Sequence, residues 1–413
     1  MTNSLMNGVT DWLTSLPSPS GLLEKVQRDG RSSLSQLELP NRKQESWRFS
    51  AVDRLESIFS RPLQGSRSHG IDQSIPAAPS NGLRLHLDTD QDQLRSLTLP
   101  VGLSWLKEVE INTYLGSSLA CFGSESDWLV ELNHAATQHL LALRISGSPP
   151  PLELIMGNSC DGLSATRILL ILEEKAELEI LQIWRGEANT SQSHILEVQL
   201  GADSSLHHGV LALGTGNSSF FAHLAVQQEP GSLYDLTSAL QGWHLARIEP
   251  RMIQSKGKAK TILNGLAMSD HDQEISMNSF MRFDGPDGEF DQLQKNLVSG
   301  HSHTVFNGAV SVPKVAQKTN ASQLSRNLML SPRARIDTKP ELEIVADDVR
   351  CTHGATVSQL QEDQLFYLRS RGISEIEAAK LLLRGYCKEI TSSLPVEAER
   401  WLPLDYLLNQ LRA

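Results

Sequence analysis

The strongest constraint on this chain is the run from about Trp105 to Val349, where short segments alternate between apolar and polar residues and no helical period is sustained. Leu196, Val198 and Leu200 alternate with Glu197 and Gln199, Val310 and Val312 flank Ser311, and Leu342 and Ile344 alternate with Glu341 and Glu343. A period of two puts successive side chains on opposite faces, as a strand buried on one face requires. Gly, Asn and Asp, the usual turn formers, recur between these segments. A sandwich, a barrel and a β-solenoid all satisfy this pattern, and no strict repeat chooses among them.

At 413 residues the chain exceeds the usual size of one core, so two or three structural regions are expected, and its 39% hydrophobic residues suffice for a substantial interior. A net charge of −11 argues against a nucleic-acid binder, which needs a basic face to neutralise phosphate. Four cysteines, at 121, 160, 351 and 387, contain no Cys-x-x-Cys pair and are too sparse for a disulfide framework, which points to a reducing cytoplasm. Met1 to Gly21 carries Asp11 and lacks the basic flank and apolar stretch of a signal peptide. The apolar run Ile168 to Leu172 has only five residues, so no membrane span is expected.

The flanks read as helical. Leu22, Leu23 and Val26 lie at helical spacing before Asp29-Gly30, and Ala51, Leu55 and Ile58 suggest a second short helix, with Trp47 and Phe49 as a hydrophobic plug beneath it. Ser66 to Gly82 reads as a loop. After about Ser358, Leu360, Leu365 and Leu368 recur before Arg371-Gly372, where Gly suits a helix end. Ser374-x-x-Glu377 is a capping-box pattern, and Ile376, Ala379, Leu383, Cys387 and Ile390 make one apolar stripe, which assigns Cys387 to the core. A last helix near Pro403 would turn Leu404, Leu407, Leu408 and Leu411 inward. The expected regions are thus 1–100 helical, 101–355 a β core and 356–413 helical.

Several chemical motifs fail on inspection. Lys256-Gly257-Lys258-Ala259-Lys260-Thr261 lacks the frame whose backbone amides cradle phosphate, so ATP hydrolysis by this chain is not expected. The acidic stretch Asp284 to Asp291 fits neither a calcium loop nor a dinucleotide fingerprint and reads as a turn. His207-His208 and His301-x-His303 lack a third convergent ligand. Cys351 and His353 are different: two apart on an extended segment, they project from one face, and thiolate with imidazole suits iron. The residues alone nevertheless favour a structural thiol at Cys351, free cysteine being among the most buried residue types.

The series Ala316-Gln317-Lys318-Thr319-Asn320, Asp337-Thr338-Lys339-Pro340-Glu341, Cys351-Thr352-His353-Gly354-Ala355-Thr356 and Leu365-Phe366-Tyr367-Leu368-Arg369-Ser370-Arg371-Gly372-Ile373 closely resembles the SufB/SufD family of iron–sulfur cluster assembly scaffolds. Leu39 to Phe49 resembles the N-terminal motif of the SufD branch. The resemblance is dense over the last quarter of the chain and weaker through the middle.

It implies a right-handed parallel β-helix with helical regions at both ends, suited to capping a solenoid whose turns bury their side chains on one another. It also implies a subunit, not an enzyme, in a complex with SufB and the ATPase SufC. The C-terminal helices would dock SufC, and His353, with Cys351 as the less secure second candidate, would face SufB at a transient iron–sulfur site. A flavin accompanies the family complex, but this chain carries no flavin fingerprint, and no cofactor is expected on it alone. Leu324 stands where SufB carries its scaffold cysteine and Gly354 where SufB has a glutamate; neither can bind iron, which favours SufD. The alternatives are a purely structural SufD homodimer and a carbohydrate-active β-helix enzyme, which would need carboxylates such as Asp270, Asp272 or Glu274 paired in a groove.

Overall fold

Each alternating segment forms one strand that turns back through a short polar corner and stacks on the strand one full turn earlier. The computed structural model describes residues 2–63, 75–124, 126–158, 161–187, 189–401, 404, 405 and 408, and shows a parallel β-solenoid of about eight turns with helices at both ends. The N-terminal part holds α1 (Thr2–Ser15), α2 (Glu24–Leu34), β1 (Leu83–His86), α3 (Gln91–Arg95) and β2 (Leu103–Trp105). Three short helices follow, α4 (Glu108–Tyr114), α5 (Ser117–Phe122) and α6 (Trp128–Ala136). The strands then run without helical interruption: β3 (His139–Ile145), β4 (Leu152–Asn158), β5 (Gly162–Leu172), β6 (Glu177–Gly186), β7 (Thr190–Leu200), β8 (Ser205–Gly214), β9 (Ser219–Gln228) and β10 (Leu233–Gln241). They continue through β11 (Leu245–Gln254), β12 (Lys260–Ser269), β13 (Glu274–Phe283), β14 (Glu289–Val298), β15 (His303–Val312), β16 (Asn320–Met329), β17 (Arg335–Ile344) and β18 (Arg350–Ser358). The hairpin of α7 (Glu362–Ser370) and α8 (Glu375–Thr391) follows, and then a 3₁₀ helix over Val396–Trp401.

Strands of even number from β4 to β18 stack in one sheet with β1, and those of odd number from β3 to β17 in the other with β2. One corner repeats on six successive turns: Lys175, Asp203, Gly231, Lys258, Asp287 and Lys318 all adopt positive φ. Each donates its amide to the next turn, as in Asp203 N to Pro230 O at 3.0 Å and Lys258 N to Pro286 O at 2.9 Å. The Asp284–Asp291 stretch contains one of these corners before β14 begins at Glu289, as its turn formers suggest.

Between the sheets, apolar side chains fill the early turns: Leu154, Leu170, Leu196, Leu236 and Ile248 belong to one continuous cluster. Toward the C-terminal end the interior turns polar. Gln323 donates to Gln292 at 2.8 Å and Asn296 to Asn327 at 2.6 Å, all four buried. Amide groups stacked on equivalent strands thus satisfy one another away from water.

The outer faces are covered too, which explains buried charges on strands that read as half-solvated. Glu197, expected on a polar face, lies beneath α5, paired with Arg167 and accepting the Gly116 amide at 2.9 Å. On the opposite sheet α8 lies flat, with Leu383, Cys387 and Ile390 against Leu181, Leu211, Leu266 and Leu297. Cys387 is therefore core, its thiol pushed up to about 12 by burial. Ser374 caps α8 by accepting from Glu377 N at 3.3 Å, and Gly372 at φ +85° follows α7, both as the sequence suggests.

Four expectations change. Residues 108–136 are helical, not stranded; α4, α5 and α6 span seven, six and nine residues, too short to display a period against their surroundings. The stripe on α8 runs through Ala378, Leu383, Cys387 and Ile390, and Ile376 points away at 65% exposure. The second N-terminal helix, Val52–Ser60, is a 3₁₀ helix that buries Leu55 and Ile58. Most consequentially, among the described residues the C-terminal helices do not cap the solenoid: α8 folds back along a sheet face and leaves the last turn uncovered. Leu94 of α3 does close the inner cluster at the other end. Most of the Ser66–Gly82 loop, together with Pro403, Leu407 and Leu411, falls outside the described residues.

The segment from Glu45 to Arg61 is a strap across the outer face of the odd-numbered sheet. Glu45 pairs with Lys339 on β17, Ser46 O accepts from Arg247 on β11 at 3.0 Å, and Ala51 N donates to Glu274 on β13 at 2.7 Å. Farther along, Arg54 donates to His244 O at 2.8 Å, and Arg61 to Thr190 O at 2.7 Å and Asn217 O at 2.9 Å. Trp47, half-buried, lies under the Arg247 guanidinium at 4.1 Å, so the expected plug also serves as a cation–π platform.

Candidate functional site

The last turn consists of β17 and β18, each paired on one side only, to β15 and to β16. None of their residues is buried, whereas β14 buries Gln292, Gln294 and Asn296 in the same columns. The side chains that would point into the interior therefore stand at an open mouth. Cys351 and His353 are two of them, stacked in register over Ala321 and Gln323 of β16. Their common face follows from the period of two. Cys351 is half-buried against the inner cluster and His353 is exposed.

Burial raises the Cys351 thiol, outweighing the opposing hydrogen bond at the Ala321 backbone. A raised thiol is a poorer nucleophile than a thiolate. On the opposite face of the same strands, Leu324 of β16 is the register partner of Gly354, and a Cβ on Gly354 would meet Leu324 Cδ1 at 3.3 Å. These two positions put a hydrocarbon and an empty place side by side, with no ligand atom from either.

The other candidates scatter. His207 and His208 point to opposite faces: His207 Nε2 meets Ser393 O at 3.1 Å, and His208, fully buried, meets the Tyr234 hydroxyl at 3.1 Å. His301 is exposed in a corner, while His303 sits between Glu274 and Asp337. Asp270 is occupied accepting the His271 amide at 2.7 Å, and Glu274 is occupied by the strap. The Lys256–Thr261 stretch crosses a corner from β11 into β12, with no helix whose N-terminus could face a phosphate.

Among the described residues, one convergent group was invisible in the sequence. Asp127, His223 and Glu249 bring ligand-type atoms within 4.8 Å of one another. His223 Nδ1 lies 3.2 Å from Glu249 and its Nε2 3.2 Å from Ser124 Oγ. Arg247 pairs with Glu249 at 2.5 Å, and Arg251 reaches Glu249 at 3.4 Å and Asp127 at 3.5 Å. Burial alone would raise the Glu249 carboxyl, but Arg247, the His223 hydrogen bond and Arg251 hold it well below the usual range. The guanidiniums already neutralise the carboxylates, so this group serves as a buried ionic joint between α5–α6, the sheet and the strap, not as a cation site.

Residues 155–386 match the family described as SUF system FeS cluster assembly, SufBD core domain. The chain is 37% identical over 247 residues to the iron–sulfur cluster assembly SufBD family protein slr0076 of Synechocystis, an alignment covering 56% of this chain and 53% of that one. It is 28% identical over 412 residues to the chloroplastic protein ABCI7 of Arabidopsis thaliana, covering 95% of this chain and 86% of that protein. It is 32% identical over 228 residues to the iron–sulfur cluster assembly protein SufD of Escherichia coli, covering 54% of each. The chain thus spans about half the length of the Synechocystis and Escherichia coli relatives and most of the Arabidopsis one. No helix among the described residues is long and apolar enough to cross a membrane.

Proposed function

From the premise that this chain belongs to the SufBD core family of the SUF system for iron–sulfur cluster assembly, we propose that it is the SufD subunit of a SufB–SufC–SufD scaffold. The observation that carries this reading is the uncovered last turn, which presents His353 beside Cys351 on a strand edge with no described neighbour. An unpaired edge offers a row of backbone donors and acceptors to another chain. A SufB subunit pairing there would bring its own ligands opposite His353, and the nascent cluster, the cargo of the complex, would form between the two. Leu324 and Gly354 leave this chain without a full ligand set, so it contributes a part of the site and not the whole. A second copy of this chain could use the same edge, which makes a homodimer the second reading.

The α7–α8 hairpin supports the SufC part. No residue of α7 is buried, and Phe366, Tyr367 and Ile376 are 71%, 55% and 65% exposed. Large apolar side chains held out on a hairpin whose other face is anchored are what a docking partner needs. ATP hydrolysis would belong to that partner.

Co-expression with SufB and SufC tests the reading. His353→Ala should give an intact complex by gel filtration with little iron or acid-labile sulfide. Cys351→Ser should do less damage, in keeping with its raised thiol. Normal cluster content in His353→Ala would remove the proposed role, and a collapsed complex would make the histidine structural.

A further inference from the structure

The interior beneath His353 contains a polar arrangement that the open edge alone does not account for. Gln292, Gln323 and His353 occupy one column on β14, β16 and β18, each in register with the next. Gln292 is anchored by Ser279, which accepts its amide at 2.9 Å. Gln323 donates its own amide to Gln292 Oε1 at 2.8 Å. The ladder therefore runs with one polarity, and its terminal oxygen, Gln323 Oε1, is buried with no hydrogen-bond partner. Gln323 itself is 2% exposed. A buried acceptor left unpaired is costly, and the next residue of the column is His353, whose side chain is exposed.

A second observation shows that this carboxamide has a built seat. On the facing sheet Gly308 carries no side chain, and a Cβ there would lie 2.2 Å from Gln323 Nε2. The gap at Gly308 holds the amide in place, so the oxygen is directed and not merely left over.

We propose that Gln323 is the positioning residue of His353: its Oε1 accepts the ring N–H that faces the interior, fixing one tautomer and turning the other ring nitrogen outward, toward the open edge. The inference rests on the reading of His353 as a ligand donor. Metal-binding histidines ordinarily have their second nitrogen held by such a partner, which sets both tautomer and ring direction. The column supplies that partner from within the chain, before any other subunit arrives.

The test reads the ring directly. The full-length chain, labelled with ¹⁵N-histidine, is observed by NMR at a fixed alkaline pH, with the His353 signals assigned by their loss in His353→Asn. Wild type should show one tautomer at this ring. Gln323→Met should return it to the mixed tautomers of a free imidazole. Gly308→Ala should do the same with both Gln323 and His353 intact, because the added methyl displaces the flexible end of the carboxamide. Thr338→Val removes another interior hydroxyl, bonded to Ser325 Oγ at 3.2 Å, and should leave the ring unchanged. A mixed ring in wild type, or one tautomer surviving both Gln323→Met and Gly308→Ala, overturns the proposal. In the co-expressed complex Gln323→Met should weaken iron retention about tenfold or more. Should His353→Ala keep its iron, the ligand reading fails while the tautomer result stands; should His353→Ala lose iron and Gln323→Met keep it, only the positioning role falls.

Discussion

Lys295, on the outer face of β14 and 2% exposed, reaches Glu389 of α8 at 2.5 Å while donating to Tyr386 O at 2.8 Å. The two partners are unequal, because Glu389 remains half-exposed and keeps Arg326 at 3.6 Å. Removing Glu389 strands a buried ammonium, whereas removing Lys295 leaves a carboxylate that water can reach. Glu389→Ala should therefore cost roughly 1–3 kcal/mol in urea unfolding and Lys295→Met less than about 1 kcal/mol. Equal losses would mean the pair is not buried on one side only.

Glu249 should be among the more sensitive charges of the described residues. Glu249→Gln leaves the buried Arg247 guanidinium without its paired carboxylate, an expected loss of roughly 3–5 kcal/mol by denaturant unfolding. The sign with pH follows from its depressed carboxyl. Its contribution is complete above the unfolded carboxylate value near about 4.3 and is lost as pH falls toward the folded one. Wild type should lose stability on acidification more steeply than Glu249→Gln; parallel curves would contradict the assignment.

His207 should give the opposite slope. The nearby Glu179 carboxylate raises it, partial burial opposes, and Ser393 O and Asp235 raise it further. Glu179 lies at 3.8 Å, Asp235 at 4.0 Å and Ser393 O at 3.1 Å. A raised histidine stabilises fully below its unfolded value near about 6.5, and that contribution disappears as pH rises through the folded value. Proteolysis just after α8 should be slower at pH 6 than at pH 8, and His207→Asn should remove the difference.

Deleting the C-terminal hairpin is a poor test of SufC docking, because it would strip the cover from Leu181, Leu211, Leu266 and Leu297 and expose an apolar sheet face. Phe366→Glu and Ile376→Glu change side chains that touch solvent. Each should alter stability by less than about 0.5 kcal/mol and abolish SufC capture in a pull-down. Capture that survives both would move the docking surface elsewhere.

The strands were legible because one buried face imposes a period of two, and Leu196, Val198 and Leu200 sit inside as that period requires. The turn-by-turn repeat was not. Its recurring element is a backbone conformation, met by Lys175, Asp203, Gly231 and Asp287 alike, so residue identity does not repeat. The shared face of Cys351 and His353 can be read from their spacing, but the Gln323–Gln292 contact joins residues 31 apart across stacked turns. Only the stacking register could reveal it. The same holds for Glu249, whose partners come from the turn before α6, a neighbouring strand and its own strand.

The strap sets an order of events during synthesis. Glu45 leaves the ribosome early, yet its partner Lys339 lies 294 residues later, and Ala51 waits 223 residues for Glu274. Contacts so distant in sequence close late, after the loop entropy between them has been met by other interactions. The N-terminal turns must stack first with their outer face bare, and the strap then closes from Arg61 toward Glu45 as each anchoring strand is added. A chain interrupted before β17 would leave the Glu45 end unfastened, so susceptibility of residues 39–50 to protease should report how far along the solenoid a nascent chain has folded.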